Sequence, residues 1–181
     1  AEAAGVTYCI EPLAPRETDF INTVAEAVTL VDEIGSPALR TMIDCSAAGQ
    51  AESEAVDALM ARWMPSGHIA HVQVNDPNRR GPGQGALPFA PIVATLLRMQ
   101  AAGHYRGIVA VEPFDYVPDG IGSAARSIGY LKGLVEAIGA QWLMKLMIEQ
   151  RVLPSAVVKR RLDERAAQIE QATGRKPGKK Q

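Results

Sequence analysis

Cysteine is scarce in this chain, histidine nearly as scarce, and neither sign of charge prevails. The two cysteines, Cys9 and Cys45, stand in separate apolar runs. That excludes a disulfide framework and fits small core residues in a reducing compartment. No stretch approaches the roughly 20 apolar residues of a membrane span, and the first residues lack a basic-then-apolar leader pattern, so the expected location is cytoplasmic, without a membrane partner. A formal charge of −1 argues against nucleic acid as the main partner of the whole chain. The balance conceals an asymmetry: from Trp142 onward there are 10 Lys and Arg against 4 Asp and Glu, and the remainder carries a net −7. With 181 residues, 47% of them hydrophobic, the chain can bury a core. The change in composition predicts a folded domain over 1–140 and a helical, basic tail over 141–181.

What is present is organised around His68 to Gly85, HIAHVQVNDPNRRGPGQG. Its first half has strand composition and its second is a turn-rich loop with two arginines, a combination typical of a site. Three other strand-like runs end similarly: Val6–Ile10 at Glu11, Leu39–Ile43 at Asp44, and Gly107–Val111 at Glu112. Between them lie amphipathic helical patterns, predicted from a cap at Thr18 to Gly35, from Ala51 to Met64, from Pro88 to Ala102 and from Ala124 to Ile138. Four βα units with continuous apolar strands predict an α/β fold, a parallel sheet covered by helices.

In such folds ligands gather at the carboxyl ends of the strands, where Glu11, Asp44, Gln73 and Glu112 stand. Period-two counting puts these four on one face with Cys9, Met42, His71 and Ala110, and puts Ile10, Ile43, Val72 and Val111 toward the helices. One acidic strand end is as readily a solvated group or a helix N-cap. Three carboxylates and an amide oxygen at one mouth, however, repel unless a cation joins them, and oxygen-only ligation suits Mg²⁺ or Mn²⁺. Two glutamates beside such an ion suit proton transfer next to a carbonyl. Arg79 or Arg80 could hold a substrate hydroxyl, carboxylate or phosphate.

Taken together, Glu11-Pro12, Asp44, His71-Val72-Gln73, Asn78-Arg79, Pro82-Gly83-Gln84-Gly85 and Val111-Glu112-Pro113 resemble the C-terminal half of the sugar phosphate isomerase/epimerase superfamily. These are xylose-isomerase-like TIM barrels that include tagatose and psicose 3-epimerases and hydroxypyruvate isomerase. The resemblance covers about residues 5 to 140. It implies a half TIM barrel in which Glu11, Asp44, Gln73 and Glu112 are metal ligands and Glu11 and Glu112 the acid/base pair. Glu17, Arg79 and the inward-facing His71 are implied as substrate-side residues. Gln73 stands where ketose epimerases place a metal-binding histidine, and Ala47 where they have a substrate-contacting one, which leaves a small carbohydrate or a hydroxy-keto acid as substrate. The related abasic-DNA endonucleases need a histidine-rich metal cluster, and three histidines, none at a presumed ligand position, argue against that branch.

A full barrel of this type has eight strands. The sequence therefore predicts a partner, either a second copy or an N-terminal half-barrel. The alternative is an inactive half-barrel. Its uncovered inner face would then expose Cys9, Met42, Ile69 and Ile108. Toward the end, Leu153 to Val158 and Ile169 to Lys176 resemble part of the recombination-associated RdgC family, which implies a DNA-associated tail, with a helix expected from Ala156 to Ala172.

Overall fold

The computed structural model describes residues 1–149 and, beyond them, Arg160, Asp163, Glu164 and Ala167, all four helical. The rest of the expected tail helix lies outside the described residues. Two compact units divide the chain, Ala1–Val135 and Glu136–Gln181.

Four strands, β1 (Tyr8–Ile10), β2 (Leu39–Asp44), β3 (Ile69–Val74) and β4 (Ile108–Val111), form one parallel sheet in the order β1-β2-β3-β4. The helices between them are α1 (Val24–Ile34), α2 (Cys45–Ala51), α3 (Val56–Trp63) and α4 (Phe89–Ala101), and α5 (Gly120–Glu149) follows β4. Strands that pair strictly in chain order, with no reversal, belong to a barrel wall and not to a doubly wound sheet. The α/β half-barrel expected from the sequence is therefore the observed fold. Its core lies between the sheet and the helices, where Ile43, Val72 and Val74 pack with Val28, Leu59, Met60, Phe89 and Ile92.

Several boundaries differ from expectation. Helix α1 begins at Val24, not after Thr18, because Thr23 and Glu26 form a reciprocal capping box that satisfies the first free amides. Before it, Leu13 N–H donates to the Ile21 carbonyl and the Asn22 amide donates to Leu13 and Thr18 carbonyls, which makes the Glu17 segment a closed loop. The helix expected from Ala51 to Met64 is α3, which begins only at Val56, and an additional helix, α2, precedes it because Asp44 caps α2 directly at the end of β2. Helix α5 continues through Gly139 to Glu149. Each helical glycine costs about 1 kcal/mol relative to alanine, and Gly139 alone is too little to end a helix that meets no proline.

A bulge sets the faces of β3. Thr41 pairs with Ile69, but Met42 pairs with His71, so Ala70 is passed over. Ile69 thereby joins the helix-side core at 5% exposure, against the expectation that it lies on the bare inner face, while His71 and Gln73 keep that face. Met42 is buried too. It lies on a central strand flanked on both sides, whereas Ile108 on the edge strand β4 is 72% exposed, as expected, and Cys9 on the other edge is partly so. Exposure here follows a residue's strand position in the sheet as well as its face.

Candidate metal centre

Glu11 directly follows β1, Asp44 ends β2, and Glu112 directly follows β4. One carboxylate oxygen from each lies within 4.8 Å of the other two. Strands β1 and β4 are three places apart in the sheet, a separation of about 14 Å if the sheet were flat. The convergence therefore requires a curved sheet with these side chains on its concave side.

The register shows how this is achieved. Ile10 pairs with Thr41, so Glu11 stands two positions short of Asp44; Asp44 pairs with Gln73 and Gln73 with Ala110, so Glu112 stands two positions beyond them. The polar positions climb along the strands from β1 to β4, as they must in a tilted, staggered barrel wall to stay at one height.

Asp44 is buried, and both of its carboxylate oxygens accept hydrogen bonds. Its Oδ1 accepts from Ala47 N–H at 2.7 Å and its Oδ2 from the Asn75 side-chain amide at 2.7 Å, while Asn75 Oδ1 accepts from Ser46 N–H at 2.9 Å. The N-cap role is thus filled by Asp44 in addition to its place in the cluster. Each carboxylate oxygen has a second lone pair, so these bonds orient the group without exhausting it. Burial raises its proton affinity, and the Ala47, Asn75 and Ser46 hydrogen bonds oppose that rise.

Glu11 has no such support. Burial, then the charges of Asp44, Glu112 and Glu17, push its pKa from 4.5 to about 7. Glu112 is raised by burial and by Asp44. These are the signatures of like charges held together. The Gln73 Oε1 is buried and has no hydrogen-bond partner, although Gln73 is the register neighbour of Asp44. With this orphaned acceptor on β3, between the strands of Asp44 and Glu112, the donor set consists of oxygens only, which fits a hard divalent cation.

Among the substrate-side candidates, Glu17 is exposed on the loop after β1; its Oε2 accepts from Ala14 N–H at 3.2 Å, and its charge acts on both Glu11 and Asp44. His71 is half-buried on the inner face, level with Met42 and Ile108. Arg79 adopts φ 71, which costs a non-glycine residue of order 1 kcal/mol. Its carbonyl accepts from both Phe114 and Asp115 N–H at 2.8 Å, and its guanidinium lies 5.4 Å from the Phe114 ring. The arginine loop is thus tied to the segment just beyond Glu112. Arg80 stands next to it, half-buried. Ala47 is buried inside α2, so it offers substrate nothing polar.

Two organising residues were not singled out in the sequence. Asn75 is 1% exposed and Asp76 2%; Asp76 accepts from Asn78 and Leu87 N–H and so closes the loop that carries Arg79. A Cβ at Gly85 would collide with the Asp76 carboxylate. The signal available was an Asn-Asp pair at a strand end, which is also what an ordinary exposed turn looks like.

A family model described as xylose isomerase-like TIM barrel matches residues 1–134. The chain belongs to the xylose isomerase-like TIM barrel family. The D-psicose 3-epimerase of Enterocloster bolteae is 32% identical over 123 residues, which are 68% of this chain and 38% of that protein. The solved structure of an L-ribulose 3-epimerase superposes with a TM-score of 0.67 at 20% identity, over 79% of this chain and 52% of that one, a likeness of fold. A second family model, described as putative exonuclease, RdgC, matches residues 125–181. The recombination-associated protein RdgC of Dechloromonas aromatica is 48% identical over 48 residues, 26% of this chain and 16% of that protein. This member of the barrel family spans about two fifths of the length of the curated psicose epimerases it matches. Among the described residues no helix is long and apolar enough to cross a membrane.

Proposed function

We propose that this chain carries the metal-binding and acid/base side of a sugar isomerase or epimerase site, with Mn²⁺ or Mg²⁺ as the ion. Glu11, Asp44, Gln73 and Glu112 would hold it. The observation that carries this reading is the convergence of three carboxylates from strands up to three places apart. A bound divalent ion supplies charge stabilisation to an adjacent carbonyl oxygen of the substrate.

The protein's own groups do the proton work. One of the two glutamates takes the proton from the carbon beside the carbonyl, and the electron pair moves onto the carbonyl oxygen. The other returns a proton to that carbon from the opposite side, which inverts it, or to the former carbonyl carbon, which isomerises the sugar as the neighbouring hydroxyl passes its proton to the former carbonyl oxygen. Without an ion, burial and the charges of Asp44, Glu112 and Glu17 raise the Glu11 pKa to about 7, and a bound cation would offset that crowding. Glu17 and Arg79 lie on the loops that bound this mouth and would bind substrate hydroxyls, and His71 forms its floor. The relatives named as psicose epimerases support a ketose, and the Gln73 amide and Ala47 support a substrate class not confined to one, including hydroxy-keto acids. The test is Mn²⁺-dependent thermal stabilisation of the full chain, lost in Glu112→Gln, together with ketose and hydroxypyruvate turnover. Equal stabilisation of both proteins by Mn²⁺ would remove the reading.

A second reading concerns the tail. The match of residues 125–181 to the RdgC family model and the excess of basic residues after Trp142 support a nucleic-acid contact there, with the half-barrel inactive. It requires salt-sensitive DNA binding that disappears when residues 142–181 are removed.

A further inference from the structure

The run Gly81-Pro82-Gly83-Gln84-Gly85 supplies no group to the metal centre, yet it lies close against the first turns of α5. A Cβ added at Gly81 would overlap the Ser127 hydroxyl, and one at Gly83 would stand 2.7 Å from the Tyr130 ring. Gly83 also has φ 79, a left-handed backbone that glycine adopts without steric cost. The helix is shaped to match. Ser123 and Ser127 are both 0% exposed and stand one turn apart, so they form a shallow face that the loop backbone can approach. Tyr130 is braced in turn by Phe89 at the start of α4, edge to face with ring centroids 6.4 Å apart.

Shape, not side-chain hydrogen bonding, makes this contact. The Ser127 hydroxyl donates to the Ser123 carbonyl of its own helix at 2.8 Å. Both polar atoms of the Gln84 side chain and the Ser123 hydroxyl are buried without a hydrogen-bond partner, so closing the contact carries a desolvation cost. What the contact fixes is Arg79, two residues before Gly81. Its carbonyl accepts from Phe114 and Asp115 N–H at 2.8 Å, and its guanidinium lies 5.4 Å from the Phe114 ring.

We propose that Ser127 and Tyr130 are positioning residues of the site: they seat the Gly81–Gly85 loop on α5 and thereby place the Arg79 guanidinium. A larger side chain at position 127 lifts Gly81, turns Arg79 away from Phe114 and loosens the bonds from the Phe114 and Asp115 amides. That Arg79 then meets substrate rests on the function proposed above; the seat itself rests on packing alone.

The experiment is NMR on the full chain in chelator, following amide exchange at Phe114 and Asp115 and the Arg79 Nε–Hε resonance. The Ile43 and Val72 amides gauge the whole sheet. Ser127→Leu should speed exchange at Phe114 and Asp115 roughly tenfold or more and shift the Arg79 resonance, while Ile43 and Val72 keep the parent rates. Ser127→Ala keeps the face shallow and should leave every reading at the parent value. Gln84→Met removes the unpartnered amide at similar volume and should slow exchange at Phe114 and Asp115. Unchanged Phe114 and Asp115 rates in Ser127→Leu overturn the proposal, as does a loss of protection in Ser127→Ala equal to that in Ser127→Leu. Should Ser127→Leu speed the Ile43 and Val72 amides as well, Gln84→Met decides, and the absence of slowing there overturns it. None of these readings needs metal or turnover, so failure of the proposed catalysis would show separately, in the Mn²⁺ thermal shift.

Discussion

Raising the pH should destabilise the metal-free protein, and Glu11 should be the largest single cause. Its pKa is 4.5 unfolded and about 7 folded. The folded state therefore holds a proton between those values that the unfolded state has released. Stability from this group is intact below pH 4.5 and is lost as pH climbs through 7. The difference corresponds to roughly 3 kcal/mol at 1.36 kcal/mol per tenfold change in proton affinity. Half of the carboxylate is open to water, and screening of that kind brings the expected loss to about 1–2 kcal/mol. Asp44 and Glu112 are raised as well and add with the same sign. Urea denaturation in a chelator at pH 5 and pH 8, for the parent and Glu11→Gln, isolates the Glu11 share. The parent's midpoint should fall relative to the variant's by roughly 0.5–1 M, given a urea dependence of about 2 kcal/mol per molar. With saturating Mn²⁺ the trend should reverse, because the ion competes with the proton for the same oxygens. Parallel pH dependence of the two proteins in chelator would refute the account of crowded carboxylates.

Other outcomes follow from named contacts. Gln73→Leu removes a buried acceptor that has no partner, so the metal-free protein should gain about 1 kcal/mol in denaturant titrations while Mn²⁺-dependent stabilisation falls. Asn75→Ala deletes the bonds to Asp44 and Ser46 and should cost about 1–3 kcal/mol, with weaker Mn²⁺ affinity by calorimetry. Gly85→Ala drives a methyl into the Asp76 carboxylate and should cost roughly 1–3 kcal/mol, with amide exchange speeding first in the loop between Asp76 and Leu87. Arg79→Gly relieves the left-handed backbone but removes the cation over Phe114; substrate KM should rise while the melting temperature holds.

The strand ends were legible because a buried apolar run that stops at a carboxylate is a contrast that survives in one dimension. Glu11, Asp44 and Glu112 could be placed on one face by counting in twos, and the structure puts their oxygens together. Counting failed at Ile69, where a bulge at Ala70 changes the parity inside β3; nothing in Ile-Ala-His marks it, since a bulge is chosen by the neighbouring strand. Thr18 and Thr23 are chemically equal candidates for capping α1, and the choice is decided by Glu26 three places after Thr23, a pairing present in the sequence that reading a cap at Thr18 passed over. The inside of the loop after β3 was the least legible part, because Asp76 works through backbone amides that any residue supplies.

The half-barrel poses its own energetic problem, and the cluster makes it sharper. Among the described residues, a curved sheet of four strands must keep three carboxylates within 4.8 Å. The Asn75, Ala47 and Ser46 amides steady Asp44, but Glu11 and Glu112 are placed by the curvature of the sheet itself, since each stands just past an edge strand. Binding a cation would remove the repulsion that opposes that curvature, so Mn²⁺ should slow amide exchange in β1 and β4 more than in β2 and β3. Hydrogen exchange with and without Mn²⁺ measures this strand by strand, and equal slowing in all four would mean that curvature and charge are not coupled.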